Sequence, residues 1–155
     1  SALLYRTRDG STYTKLAELA PPNCTEATLR FDGDTLYCLQ RRDGSQNTAL
    51  LGVSQPPYTQ WTWKDLGHYL GGPNFIRLPN GTWIASGRIL RDRRPQTIVA
   101  NLDVESGKLV PLITLPSGGD TSYPGLVWHE GHLYISYYSS HEGKAAIYLA
   151  VVAVH

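Results

Sequence analysis

The sequence is short of three things that mark particular classes of protein: net charge, long apolar runs and cysteine. Its 155 residues include 14 basic and 13 acidic side chains, which leaves a net charge of +1. Nucleic acids and membrane surfaces attract concentrated basic charge, so this balance argues against both kinds of partner. No apolar run approaches the ~20 residues that span a bilayer.

The start of the chain lacks the charged-then-apolar pattern of a signal segment. It begins at Ser1 and enters an apolar run at once. We therefore expect a mature chain or one that belongs to a longer protein, and export before cleavage stays open.

The two cysteines, Cys24 and Cys38, say little about the redox compartment. They fall on two predicted strands of one hairpin, at positions that should not face each other. We expect two buried free thiols, because a disulfide would need a different register. No cofactor or metal site is predicted, since His129 and His132 flank a tight turn and lack partners at ligand spacing.

What the sequence has in quantity is glycine (15), proline (10) and tyrosine (10). No stretch shows a sustained 3.6-residue period, and short apolar runs alternate with turn signals, which predicts an all-β chain. The predicted strands are 2–7, 13–19, 25–31, 35–42, 47–54, 60–66, 73–78, 82–90, 96–102, 108–114, 123–129, 132–139 and 145–152.

An internal repeat organises these strands. Three hairpins, at 31–34, 78–81 and 129–132, each have an x-Gly turn and are followed by a third strand. The third strands align on the residues Leu4, Leu50, Val99 and Leu149. A period of 40–50 residues with four strands per unit is typical of a β-propeller blade.

The repeat predicts a single partial propeller domain over 1–155. It divides into a blade remnant, 1–20, and the blades 25–66, 73–114 and 123–155, the last without its fourth strand. Three blades do not close a ring. Half of a longer polypeptide and a homo-oligomer, such as a dimer completing a six-bladed ring, both stay open. An open monomer is least favoured, because unpaired strand edges promote aggregation.

Segment 8–13 follows a third strand and resembles a shortened Asp box, Ser/Thr-x-Asp-x-Gly-x-Thr-Trp. In that motif the Asp and the Gly shape a turn and the aromatic residue packs beneath it. Tyr13, together with Trp61 and Trp63 at later degenerate positions, is therefore predicted to pack.

A second segment, 25–29, resembles the Asn-Glu-x-x-Val strand of sialidases and matches on Glu26. Turn geometry independently places Glu26 across the hairpin from about residue 41 when the tip lies near Gly33. Arg41 and Glu26 are thus predicted cross-strand neighbours, with Arg42 as the alternative.

Two further segments complete the pattern. Segment 93–99 resembles Gly-Arg-x-Asn-Leu-Thr-Val and matches on Arg94, and segment 121–126 resembles Ala-Tyr-Ser-Asp-Leu and matches on Tyr123. In their order and spacing, the four segments resemble the C-terminal half of the sialidase (neuraminidase) superfamily. The first arginine of that family's triad and its Asp acid/base have no counterpart in this chain.

The resemblance implies a site for a sialic-acid-like or other acidic sugar. Guanidinium groups bind a carboxylate bidentately, which is the role implied for Arg41 and Arg94. Sialidases use a neutral tyrosine as nucleophile, here Tyr123, and a glutamate as its base, here Glu26. The resemblance also favours a secreted or periplasmic protein.

Two weaker candidates for sugar binding lie in loops. Asp120 follows a Gly-Gly pair and could reach the mouth of the propeller, and His141 lies between two predicted strands. Each of these residues could also have a purely structural role. Glu26 and Arg41 could form an interstrand ion pair, Arg94 could lie in a solvated loop, and Tyr123 could be an ordinary core or rim tyrosine. Three hypotheses follow, namely a glycoside hydrolase, a non-catalytic glycan-binding module and a structural self-assembling half-propeller.

Overall fold

The computed structural model describes residues 2–19 and 22–154, and these residues form strands and turns without any helix. The all-β prediction is confirmed, and each predicted strand overlaps one observed strand. The strands are β1 Ala2–Thr7, β2 Tyr13–Leu19, β3 Cys24–Asp32, β4 Thr35–Arg42, β5 Leu50–Ser54, β6 Thr62–Asp65, β7 Gly71–Arg77, β8 Trp83–Arg91, β9 Arg94–Asp103, β10 Lys108–Thr114, β11 Thr121–His129, β12 His132–Ser139 and β13 Ala146–Ala153.

The strands form four antiparallel sheets that follow the chain in order. Sheet 1 is β1-β2, sheet 2 is β3-β4-β5-β6, sheet 3 is β7-β8-β9-β10 and sheet 4 is β11-β12-β13. Each strand pairs with its neighbour in sequence, which is the connectivity of propeller blades. Within the described ranges, no helix is long and apolar enough to cross a membrane.

Three apolar clusters hold the sheets together face to face. The first lies between sheets 1 and 2 around Leu4 and Leu36, and the second lies between sheets 2 and 3 around Leu51 and Phe75. The third joins sheets 3 and 4. Because side chains alternate between the two faces of a strand, sheets 2 and 3 bury both faces, as stacked propeller blades do.

The aromatic residues expected to pack divide into two groups. Trp61 and Trp63 stack on each other with ring centroids 5.6 Å apart, and both pack against the cluster between sheets 1 and 2. Tyr13 is 58% exposed, so its predicted packing is wrong. It lies on the face of sheet 1 that points away from sheet 2, where no other described sheet covers it.

The prediction for the cysteines is confirmed. Cys24 lies opposite Arg42 and Cys38 lies opposite Leu29, so the two thiols do not face each other. Both are buried and free. Burial raises the pKa of the Cys38 thiol to about 12, which keeps it protonated.

A backbone irregularity recurs at the start of the first strand in sheets 2, 3 and 4. The register shifts in the ranges 24–27, 71–74 and 122–125. Asn74 Nδ2 donates to Pro124 O at 2.8 Å, and Thr28 Oγ1 donates to Pro73 O at 2.7 Å, so β7 lies between β3 and β11. The three bulges therefore meet at one end of three adjacent strands.

Candidate functional site

The side chains of Glu26 and Tyr123 meet at the end where the three bulges lie. The Tyr123 hydroxyl donates a hydrogen bond to Glu26 Oε1, although the residues are 97 positions apart in sequence. The Glu26 side chain is 30% exposed and Tyr123 is 57% exposed, so a ligand can approach both. The fold thus brings a phenol and a carboxylate into contact at a solvent-accessible end of the strands.

Glu26 is held by three donors. Arg41 Nη1 lies 3.1 Å from Glu26 Oε1, as the count from the turn predicted, and the backbone N–H of Gly72 donates to Oε2 at 2.8 Å. Partial burial alone would raise the pKa of Glu26. The hydrogen bonds from Tyr123, Gly72 and Arg41 outweigh it and keep that pKa below its ordinary value.

Tyr123 occupies the second residue of its bulge with φ of 51°. This left-handed conformation is uncommon for a side chain of its size. The hydrogen bond to Glu26, followed by desolvation, raises the pKa of Tyr123 above 10.0. The pair therefore exists at neutral pH as a neutral phenol beside an ionised carboxylate, with a proton acceptor already in contact with the hydroxyl.

Arg41 extends the cluster away from the phenol. Its Nε lies 2.9 Å from Asp43 Oδ1, and its guanidinium carbon lies 5.6 Å from the centre of the Tyr69 ring. Arg42, the alternative from the sequence, binds Thr48 and Asp65 instead. The choice of Arg41 over Arg42 thus agrees with the geometry.

Arg88 is a neighbour of this cluster that the sequence analysis did not single out. It pairs with Gly71 at the start of β7, and its Nη1 lies 2.7 Å from Asp120 Oδ1. Burial lowers the pKa of Arg88, but the Tyr69 hydroxyl and the Asp120 carboxylate outweigh burial and raise it. Register counting across the β7–β8 hairpin could have found this residue.

The rings of Tyr123 and Tyr138 stack with their centroids 6.1 Å apart and a 22° angle between planes. Burial, with the hydrogen bond to Asp120 as the next cause, raises the pKa of Tyr138 to about 12. Asp120 thus belongs to the surroundings of the Glu26–Tyr123 pair through Arg88 and Tyr138.

The other two predicted residues lie apart from the pair. Arg94 begins β9 opposite Arg91, at an exposed hairpin end, and makes no ion pair with any described residue. His141 lies in the β12–β13 connection, with its Nδ1 3.0 Å from Ser139 Oγ and its ring 4.4 Å from that of Tyr148. The structure therefore brings together Glu26, Arg41 and Tyr123, places Asp120 nearby, and does not add Arg94 or His141.

A cleft of about 370 Å³ begins at the Glu26–Tyr123 pair and follows the three first strands. This volume suits a small ligand, since such sites usually measure about 300–1,000 Å³. Its polar lining includes Thr28, Asn74 and Ser136. Among residues 2–19 and 22–154, no group of three or more His, Cys, Asp or Glu side chains is placed to hold a metal ion.

No family model matches the chain, and a search of the curated proteins finds no match. Solved structures do match. A protein of unknown function from Dyadobacter fermentans DSM 18053 is 19% identical, with a TM-score of 0.83 over 99% of this chain and 45% of that one. The endo-arabinase from Bacteroides thetaiotaomicron VPI-5482 is 15% identical, with a TM-score of 0.71 over 97% of this chain and 66% of that one. The Bacteroides ovatus protein described as Xyloglucan PUL GH43B is 15% identical, with a TM-score of 0.70 over 97% of this chain and 33% of that one.

These likenesses show the fold. The chain has an all-β, propeller-like fold of the kind found in the glycoside hydrolases among its structural neighbours. It spans between a third and two thirds of the length of the three matched structures. Membership of the sialidase family in particular stays a prediction.

Proposed function

We propose that this chain carries the reacting part of a glycoside hydrolase site, with Tyr123 as nucleophile and Glu26 as its base. The observation that carries the proposal is the hydrogen bond from the Tyr123 hydroxyl to the Glu26 carboxylate at the head of the cleft. The propeller likeness supports it, since several matched structures are described as carbohydrate-degrading enzymes.

The first chemical step forms a bond between Tyr123 Oη and the anomeric carbon of the sugar. Glu26 takes the phenolic proton while the glycosidic C–O bond breaks and its electron pair leaves with the aglycone oxygen, which water protonates. In the second step water attacks the anomeric carbon and releases one proton to solvent, the phenolic oxygen leaves, and Glu26 returns its proton to that oxygen. A base in contact with the nucleophile is what activates a weakly acidic hydroxyl.

An acidic sugar is the substrate class that a tyrosine nucleophile fits. A carboxylate nucleophile would be repelled by a carboxylate on the anomeric carbon, whereas a neutral phenol would not. Arg41 and Arg88 offer two guanidinium groups near Tyr69, Arg41 over its ring and Arg88 beside its hydroxyl. Each is now paired with a carboxylate, Asp43 or Asp120, which the carboxylate of the substrate would replace.

An uncharged sugar is the second candidate, and the charge balance of the cluster favours it. Glu26, Asp43 and Asp120 supply three negative charges against two positive charges from Arg41 and Arg88. A neutral pentose would leave both ion pairs intact. The matched structures described as an endo-arabinase and a xylan β-1,4-xylosidase agree with this class.

The experiment is hydrolysis of fluorogenic aryl glycosides by the full chain, with an α-sialoside, an α-L-arabinofuranoside and a β-xyloside as substrates. Aryl leaving groups depart as stable phenolates and need no acid catalyst. Tyr123→Phe should lower kcat/KM at least about a thousandfold, as expected for loss of a nucleophile. Equal rates in wild type and Tyr123→Phe would refute the assignment.

Tyr13→Phe is the matched control, because the Tyr13 hydroxyl donates to the local Gly10 carbonyl, at 3.0 Å, and to no other described residue. It should keep the wild-type rate. Binding of one of these glycosides without turnover, weakened by Arg88→Ala, would favour a glycan-binding module over an enzyme. The comparison of the sialoside with the two pentosides decides between the acidic and the uncharged sugar.

A further inference from the structure

Tyr123 lies in a part of β11 that its own sheet does not hold. The ladder between β11 and β12 pairs Ser122 and Gly125 but passes over Tyr123 and Pro124. Tyr123 also has φ of 51°, and the proline that follows it restricts its backbone further. A residue keeps such a conformation only where neighbouring contacts hold it. The contacts that hold the phenol in place therefore come from outside this ladder.

Two hydrogen bonds to sheet 3 flank Tyr123. On the side before it, Ser122 Oγ donates to Gly71 O at 2.9 Å. On the side after it, Asn74 Nδ2 donates to Pro124 O at 2.8 Å. Both bonds attach the backbone of β11 to β7. The same strand also donates a backbone N–H to the carboxylate that the phenol contacts, so β7 locates both members of the reacting pair.

The side-chain amide of Asn74 has one favourable orientation. Its Oδ1 accepts from the Phe75 backbone N–H at 2.9 Å and from Arg30 Nη2 at 2.8 Å. Turning the amide over would set its N–H groups against these two donors and its oxygen against the Pro124 carbonyl. All three hydrogen bonds would then be lost. The donor end of the amide is therefore fixed on Pro124.

Arg30 supports this orientation from sheet 2. Its Nη1 donates to Leu29 O at 2.8 Å, and its guanidinium carbon lies 5.9 Å from the centre of the Phe75 ring. Hydrogen bonds from a charged donor are stronger than those between neutral groups, and they polarise the acceptor. A chain of hydrogen bonds thus runs from Arg30 through Asn74 to the backbone of sheet 4 beside the phenol.

We propose that Asn74 is a positioning residue that holds the Tyr123 hydroxyl against Glu26. Arg30 orients the amide, and the amide acts through the Pro124 carbonyl. The inference rests on the role proposed above for Tyr123 as nucleophile. Without the bond to Pro124, the phenol would spend less time within reach of its base. A displacement of about 1 Å at a reacting group can lower a rate about a hundredfold.

The experiment is an alkaline absorbance titration of the full chain. Each protein is titrated beside its Tyr123→Phe counterpart, so that the difference isolates Tyr123 from the other tyrosines. In wild type the hydrogen bond to Glu26 keeps the pKa of Tyr123 above 10.0, and Asn74→Ala should bring that pKa down toward 10.0. Glu26, Arg41 and Arg88, the charged groups that act on this pKa, are the same in both proteins.

Ser86→Ala is the matched control. Ser86 lies opposite Asn74 in the β7–β8 ladder, and its Oγ donates to Ile98 O at 2.6 Å within sheet 3. This variant also loses a buried side-chain hydrogen bond, but it should leave the Tyr123 titration unchanged. An equal fall of the Tyr123 pKa in both variants would indicate general loosening of the sheet and would overturn the proposal.

An unchanged Tyr123 titration in folded Asn74→Ala would overturn it as well. Should Asn74→Ala fail to fold, Arg30→Met takes its place, because it keeps the amide and removes the charged donor that orients it. Arg30→Met should lower the Tyr123 pKa in the same direction. No change in that variant would equally contradict the proposal.

The aryl glycoside assay gives a second measurement. Asn74→Ala should lower kcat about a hundredfold with KM unchanged, whereas Ser86→Ala should keep the wild-type kcat. The titration does not depend on turnover, so the two proposals can fail separately. Full activity in Tyr123→Phe would refute the nucleophile and leave the titration to decide the role of Asn74. An inactive Tyr123→Phe with an unchanged titration in Asn74→Ala would refute the positioning role alone.

Discussion

Gly72 and Tyr123 occupy equivalent positions in the bulges of β7 and β11, with nearly equal backbone angles, φ of 56° and 51°. Yet one position has no side chain and the other has one of the largest. A Cβ added at Gly72 would lie 2.4 Å from Ser122 Oγ and 2.9 Å from the Tyr123 backbone nitrogen. The bare position in one sheet therefore makes room for the phenol of the next, and the Gly72 N–H holds the carboxylate that the phenol contacts.

The largest expected effect comes from filling the bare position. Gly72→Ala should lower the free energy of unfolding by about 3 kcal/mol, because the alanine meets both a disfavoured φ and the backbone of the next sheet. Gly67→Ala is the control, since Gly67 has φ of 70° and open space around it. Gly67→Ala should lower the free energy of unfolding by about 1 kcal/mol. Equal losses in urea melts would show that the close approach of the sheets at Gly72 does not matter.

The next effect concerns the titration of the phenol. Glu26→Gln removes the carboxylate whose hydrogen bond is the first cause of the raised Tyr123 pKa, so that pKa should fall toward 10.0. The difference between the alkaline absorbance titrations of wild type and Glu26→Gln measures the change, because the other tyrosines contribute to both. An unchanged titration of Tyr123 would contradict the contact between the two side chains.

Much of this geometry follows from turns that are visible in the sequence. The x-Gly hairpins fix the strands, and counting from the tip near Gly33 correctly brings Glu26 to Arg41. The bulges could not be predicted in this way. Tyrosine rarely adopts positive φ. The sequence around Tyr123 therefore does not predict the backbone conformation that brings the Tyr123 side chain to Glu26.

The expectation for Arg94 shows the limit of motif matching. The β8–β9 hairpin extends to an Arg91–Arg94 pair and carries Arg94 beyond the cluster. Arg88, which no motif marked, lies beside Gly71 at the level of the bulge. Position along a hairpin, rather than membership of an arginine-rich run, decides which guanidinium lies near the site.

A smaller effect should appear in acid. The pKa of Glu26 is lowered from 4.5 in the folded chain, so its contacts stabilise the fold above pH 4.5, and this contribution is lost as the pH falls through the depressed value. Glu26→Gln should therefore lose less stability than wild type over that acid range in thermal melts. Equal losses of thermal stability with falling pH in the two proteins would show that the contacts of the Glu26 carboxylate do not stabilise the fold.

The smallest effect is expected at the turn of sheet 1, far from the bulges. Asp9 Oδ1 accepts backbone hydrogen bonds from Thr12 at 2.8 Å and from Ser11 at 2.9 Å, which lower the Asp9 pKa below its ordinary value. Asp9→Ala should lower Tm only slightly, because the turn is exposed, and should leave the Tyr123 titration unchanged. A shift of that titration would mean that sheet 1 is coupled to the bulges.

The most direct test of the central account is to trap the sugar on the protein. A set of 2- and 3-fluorinated glycosyl fluorides, one sialic-acid-type and one arabinofuranosyl, should slow the second chemical step and leave a covalent adduct. We expect peptide mass spectrometry to find one glycosyl group on Tyr123 in wild type and none in Tyr123→Phe. A label on Glu26, or no label on Tyr123, would contradict the assignment of the phenol as nucleophile.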